Sequence, residues 1–160
     1  MRNSVTSGSF PQIFSFPATN TLLSNTMVQL TDDLIEAFNA LRIIPLATAD
    51  KDGVPNVAPM GAKALADPET ILVMDNFMQK TVVNIRENPK AAIYVWGEGV
   101  KGCFQIHGDV TYVNEGEQFD TFRSETLARM PNVPAKGMLV IKITDVYMCN
   151  PGAGAGDKIN

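Results

Sequence analysis

Long apolar runs are missing from this 160-residue chain: no stretch approaches the roughly 18 residues that a membrane-spanning helix needs. Cysteine is scarce. Cys103 and Cys149 stand far apart with no Cys-x-x-Cys pair, so neither a disulfide scaffold nor a structural zinc site is expected, and a reducing, cytoplasmic compartment fits. Both cysteines read as small buried apolar residues. The single histidine, His107, excludes a His-rich metal centre and reads as hydrogen-bonded structure in a strand. Charge is modest as well, at 19% of residues with a net −4, which leaves no basic face for gripping nucleic acid. There is no glycine-rich Walker or Rossmann loop, because the glycines of 152–156 stand at the chain end with no helix after them. No serine stands in a G-x-S-x-G elbow.

What is present suits one domain: 45% apolar composition over this length can build one sizeable core. Residues 1–26 differ from the rest, with nine Ser or Thr, no acidic residue and Arg2 as the only charge. They lack the apolar run of a signal peptide. Two readings stand: a leader ahead of a natural start at Met27, or an N-terminal arm whose Phe10, Ile13, Phe14 and Phe16 lie on the body or on a partner subunit. The body is then 27–160, with no internal boundary.

Thr31 sits at a helix N-cap position ahead of Asp32 and Asp33, and Leu34, Ile35, Phe38 and Leu41 follow the 3.6-residue period, predicting a helix over 32–41. A β-type run over 43–49 follows, its Pro45 marking an edge or a strand start. Lys51-Asp52-Gly53 is a hairpin turn into a strand near 55–63. Further strands are expected at 70–74, 91–96, 103–113 and 139–147, with Gly108 as a bulge or bend. Helices are expected at 79–87, closed by Asn88-Pro89, and at 115–129. Hairpin-spaced strands with few helices predict a mainly β fold: a six-stranded antiparallel barrel with peripheral helices.

The run from Met74 to Ile85 carries the clearest chemistry. A strand ends at Met74-Asp75, a corner follows through Asn76, and Gln79-Lys80-Thr81 opens a short helix. Helix N-termini offer free N–H groups and partial positive charge; Lys80 adds a point charge and Thr81 a hydroxyl, so the corner suits a phosphate. An ordinary solvated Lys beside a cap-like Thr is the alternative. The strand holding Asn56-Val57-Ala58-Pro59-Met60 has few bulky side chains, and its two prolines, Pro55 and Pro59, cannot donate to a ladder; it suits either a flat aromatic ligand or a plain edge strand. No catalytic residue stands out. Asp75 and Lys63 are the only nearby charges, and both read as surface groups.

In order and spacing these segments resemble the pyridoxamine 5'-phosphate oxidase-like split-barrel flavoproteins over roughly residues 30–150, most closely the small FMN-binding proteins of that group. The resemblance implies a split barrel and a homodimer with flavin sites at the subunit interface. It implies non-covalent FMN, with its phosphate at Lys80-Thr81, its ring against Asn56, Val57, Ala58, Pro59 and Met60, and its ring and ribityl chain facing Met74, Asp75 and Asn76. The expected activity is redox: electron transfer or reduction of a small substrate, with donor, acceptor and substrate unnamed. A non-catalytic flavin carrier, or a split barrel using deazaflavin or haem, is the alternative. The family's oxidases carry Arg-Lys where this chain has Gln79-Lys80, and they use C-terminal Arg and His residues that are absent after Arg129. Oxidation of pyridoxamine phosphate itself is therefore not expected.

Overall fold

The computed structural model describes residues 28–159; the arm or leader at 1–26 lies outside them. The chain runs α1 (Asp32–Ala40), β1 (Ile44–Ala49), β2 (Pro55–Met60), β3 (Lys63–Asp67), β4 (Thr70–Asp75), α2 (Lys80–Glu87), β5 (Lys90–Val95), β6 (Phe104–Val113), α3 (Glu117–Arg129) and β7 (Gly137–Met148). The described residues form seven strands rather than the expected six, because the run over 55–63 breaks at Gly61-Ala62. Met60 is paired with Ile44 at the start of β1, so a straight continuation would leave its backbone unpaired. The chain turns instead: Ala62 O accepts from Met74 N at 2.8 Å, and Lys63 pairs with Val73 of β4.

Every pairing is antiparallel, in the order β2-β1-β5-β6-β7-β4-β3. The two edges, β2 and β3, are consecutive in sequence. A flat sheet would hold them roughly 29 Å apart, at about 4.8 Å per strand. Three residue steps from Met60 to Lys63 reach at most about 11 Å. The sheet must therefore curl until its edges meet, and because β2 and β3 do not pair with each other the barrel is split.

Strand alternation sorts the core onto the two faces of this curl. Inside, Ile44, Leu46, Ile71, Val73, Ile93, Ile106, Leu139 and Ile141 meet Leu34, Ala37 and Phe38 of α1. Outside, Phe119 and Phe122 of α3 cover Ala64, Ala66, Leu72, Met74 and Met138. β4 is thus buried on both faces, which explains its unbroken apolar run Ile71-Leu72-Val73-Met74. Each such fully buried aliphatic side chain contributes about 1.5–3 kcal/mol.

The turn after β1 forms as the sequence predicts. Asp50 Oδ1 accepts from the N–H groups of Asp52 (3.0 Å) and Val54 (2.9 Å), and Gly53 takes the φ of +80° that the turn requires. Pro45 sits near the start of β1, which is an internal strand, whereas Pro55 and Pro59 lie on the true edge, β2. Thr31 occupies the cap position of α1 but makes no side-chain capping bond. Among the described residues no helix is long and apolar enough to cross a membrane.

The β6–β7 ladder shifts register between His107, opposite Asp145, and Gly108, opposite Ile143. The extra residue is Thr144, on β7; Gly108 supplies the close approach rather than the bulged residue. A Cβ on Gly108 would lie 2.5 Å from Ile141 Cγ2 and 2.6 Å from the Lys142 carbonyl oxygen, and a backbone oxygen cannot rotate away. Gly108→Ala should therefore lower the urea-unfolding free energy by about 1–3 kcal/mol. An unchanged midpoint would show that the two strands separate there at no cost.

Candidate functional site

The corner between β4 and α2 is set by Asp75. Its carboxylate is buried, accepts from Met78 N (2.9 Å) and the Tyr112 hydroxyl (2.9 Å), and lies 3.6 Å from Lys136 Nζ. Burial first, and this carboxylate second, push the Tyr112 hydroxyl up to about 12. The expectation of a surface Asp75 facing a ligand is corrected here: β4 ends inside the protein, and its last carboxylate is spent on folding the corner. α2 then starts at Lys80 with no side-chain cap from Gln79, so its first-turn N–H groups have no side-chain acceptor.

Two polar links hold this helix start against the barrel. Asn56 Nδ2 on β2 donates to Thr81 Oγ1 (3.2 Å) and to Thr48 Oγ1 on β1 (3.4 Å), and Thr48 Oγ1 also accepts from Asn84 Nδ2 (3.0 Å). Thr81 is thereby fixed through an accepted bond, leaving its own O–H to donate. Asn84 Oδ1, one turn along α2, is buried without a partner. Lys80 Nζ pairs with Asp50 Oδ2 at 3.1 Å. The other oxygen of that carboxylate organises the β1–β2 turn, so one acid both builds the turn and parks the ammonium beside the helix start. The Val54 backbone N–H, then Lys80, hold the Asp50 carboxyl below its usual range.

Between β2 and this corner runs a groove of about 550 Å³, within the ordinary range of roughly 300–1,000 Å³ for small-molecule sites. Nine of the sequence-predicted residues line it: Asn56, Ala58, Pro59, Met60, Met74, Asn76, Gln79, Lys80 and Thr81. Val57, exposed on β2, does not; Asp75 does not, for the reason above. Sequence reasoning missed Gly61, Ala62, Phe77, Met78, Met130 and Val133. Phe77 and Met78 fall inside the corner segment and were within reach of it. Met130 and Val133 arrive from the far end of α3 and carry no local signal. Four methionines line one groove, an adaptable, polarizable wall suited to a flat ring.

Gly61 and Met130 are shared with a second recess of about 370 Å³ that carries Arg42, Lys63 and Arg129. None of these three cations makes an ion pair among the described residues. Lys63 is corrected from a surface group to a largely enclosed one. Its Nζ donates to the Phe38 carbonyl at 2.7 Å and lies 4.0 Å from the centre of the Phe38 ring. Burial first, and Arg129 second, pull it down to about 8.

The sequence model of the family described as Pyridoxamine 5'-phosphate oxidase matches residues 30–150. An uncharacterized protein of Methanocaldococcus jannaschii is 38% identical over 141 residues, 84% of this chain and 91% of its own. The crystal structure of Group A Streptococcus HupZ is similar at a TM-score of 0.69 and 25% identity, over 79% of this chain and 99% of its own. An FMN-binding protein from Syntrophomonas wolfei is similar at a TM-score of 0.64 and 23% identity, over 72% of this chain and 83% of its own.

Lys63 gives the recess a measurable signature. Its folded-state value, about 8, lies below the ordinary 10.5, so between those pH values the unfolded chain keeps a proton that the folded chain has lost. Stability gained from this group therefore rises with pH across that window and is flat below it. The unfolding free energy of the natural chain should climb from pH 8 to 10 relative to Lys63→Met. Parallel curves would mean that Lys63 is solvated.

Proposed function

The chain belongs to the pyridoxamine 5'-phosphate oxidase family, and from that premise we propose that its groove holds FMN non-covalently and that the protein is a redox flavoprotein. One observation carries the reading: an uncapped helix start, an ammonium and a fixed threonine hydroxyl converge at one end of an apolar, methionine-lined groove along an edge strand. That donor set fits a phosphate, and the walls fit a flat ring. Lys80, Thr81 and the first N–H groups of α2 would bind the phosphate. Asn56, Ala58, Pro59 and Met60, with Met74 and Asn76, would face the ring and ribityl chain. Bound there, FMN would supply the electron and hydride chemistry. The chain's own part is to position it and exclude water, since among the described residues Lys80 is the only titratable side chain lining the groove.

The adjoining recess favours a redox role over a passive carrier. Three cations beside the groove, without an ion pair among the described residues, fit an anionic group on a second, reacting molecule. Oxidation of pyridoxamine phosphate is not proposed, given Gln79 at the corner and no Arg or His after Arg129. A histidine-ligated haem would need His107, which lies outside the groove, its ring 5.0 Å from that of Tyr147. Solved chains of this fold include an F420 reductase and a haem storage protein of Vibrio cholerae, so deazaflavin and haem are outcomes for the test to exclude.

Phe77 on the groove wall is 73% exposed, and Trp96 and Val57, outside the groove, are also open apolar surface. We propose that a second copy of the chain covers them, giving a homodimer with two equivalent sites. The purified chain should carry the absorbance of an oxidised flavin, release FMN on extraction and sediment as a dimer. Lys80→Ala should weaken FMN binding about 10- to 150-fold, the loss of one charge-assisted contact of about 1.5–3 kcal/mol. Recovery of haem or deazaflavin alone would overturn the FMN assignment, and unchanged affinity in the variant would place the phosphate elsewhere.

A further inference from the structure

Cys103 and Cys149, distant in sequence, face each other across the end of the β6–β7 ladder. The last registered pair is Phe104 with Met148, and one step further sets Cys103 opposite Cys149, where Cys149 N donates to the Cys103 carbonyl at 2.7 Å. Directly opposed residues of an antiparallel pair hold their Cα atoms about 4.5–5.5 Å apart, inside the roughly 4.4–6.8 Å that a disulfide spans. We propose that Cys103 and Cys149 form a reversible dithiol–disulfide pair, oxidised by a peroxide, that staples the start of β6 to the C-terminal turn.

The surroundings of the two thiols divide the roles. Both are free. Cys103 is buried, and its Sγ donates to the Tyr94 hydroxyl at 3.2 Å. Cys149 is half-buried and lines an open cleft of about 410 Å³ beside Gln105, His107 and Tyr147. A peroxide therefore reaches Cys149 first. Its thiolate attacks one peroxide oxygen, the O–O bond breaks, and hydroxide leaves, giving a sulfenic acid. Cys103, losing its thiol proton, then attacks that sulfur and displaces hydroxide, which takes the proton to become water. In sum, two thiols and one hydrogen peroxide give one disulfide and two waters. Burial, then the neighbouring Cys103, raise the Cys149 thiol, so little thiolate is present and the reaction is slow. The geometry favours closure once it starts, because the backbone is already in register. The staple would act on the segment that folds back along β7, where Gly156 N donates to the Met148 carbonyl and Met148 N to that of Asp157.

The test needs only the full chain. Reduced protein is incubated with excess hydrogen peroxide, alkylated under denaturing conditions and mapped by mass spectrometry. The expected product is a covalent monomer lighter by two hydrogens, with the Cys103 and Cys149 peptides joined, and dithiothreitol should restore both thiols. Cys103→Ser and Cys149→Ser should each abolish the joined peptide. Two alkylatable thiols after oxidation, separate over-oxidation of each sulfur, or only intermolecular links would overturn the proposal. None of these outcomes depends on whether FMN is bound.

Discussion

Two residues, Gly61 and Ala62, join strands that lie at opposite edges of a seven-stranded sheet, and most of the molecule's shape follows from that short link. A reach of about 11 Å cannot cross a flat sheet roughly 29 Å wide, so the sheet has to close on itself. Closure creates an inner face that Phe38 of α1 helps to fill and an outer face that Phe119 and Phe122 cover. It also leaves β2 as an unpaired edge running beside the β4–α2 corner, and the groove is the space between them. Gly61 lines both the groove and the cationic recess, so the link that closes the barrel is also where the two cavities meet.

The polar groups of the site are held by the same strands that make the barrel. Thr48 on β1 and Asn56 on β2 fix Thr81 and Asn84 on α2, and the Asp50 turn between those strands holds Lys80. Each contact is modest, about 0.5–1.5 kcal/mol for a neutral hydrogen bond. Their value is positional: they present a helix start, a hydroxyl and an ammonium as one cluster before any ligand arrives. Two costs are visible: Asn84 Oδ1 is buried without a partner, and the Lys80–Asp50 ion pair must open or be shared when an anion binds.

Much of this was legible in the sequence because it is local. The Asp-Gly turn, the Lys80-Thr81 helix start and the proline-marked edge strand each depend on residues within one segment, and the structure draws them to one groove. What escaped depends on distant partners. The break at Gly61 is dictated by where β1 and β4 find their pairings, so 55–63 read as one strand. Asp75 and Lys63 look like surface charges until Tyr112 and Phe38 are placed beside them. Met130 and Val133 join the groove only through the packing of α3. The opposition of Cys103 and Cys149 rests on the β6–β7 register, including a bulge at Thr144 that no spacing rule supplies. Residues 1–26 lie outside the described residues, so both readings of that segment stand as they were.

The phosphate corner is the claim on which the functional reading turns, and comparing two ligands that differ only in the phosphate tests it most directly. Cofactor-free protein titrated with FMN and with riboflavin, followed by flavin fluorescence, separates the corner from the ring-binding walls. At least two charge-assisted contacts to the phosphate predict FMN binding tighter than riboflavin by about 100-fold or more. Equal affinities would contradict the assignment, leaving Lys80 and Thr81 as parts of the fold alone.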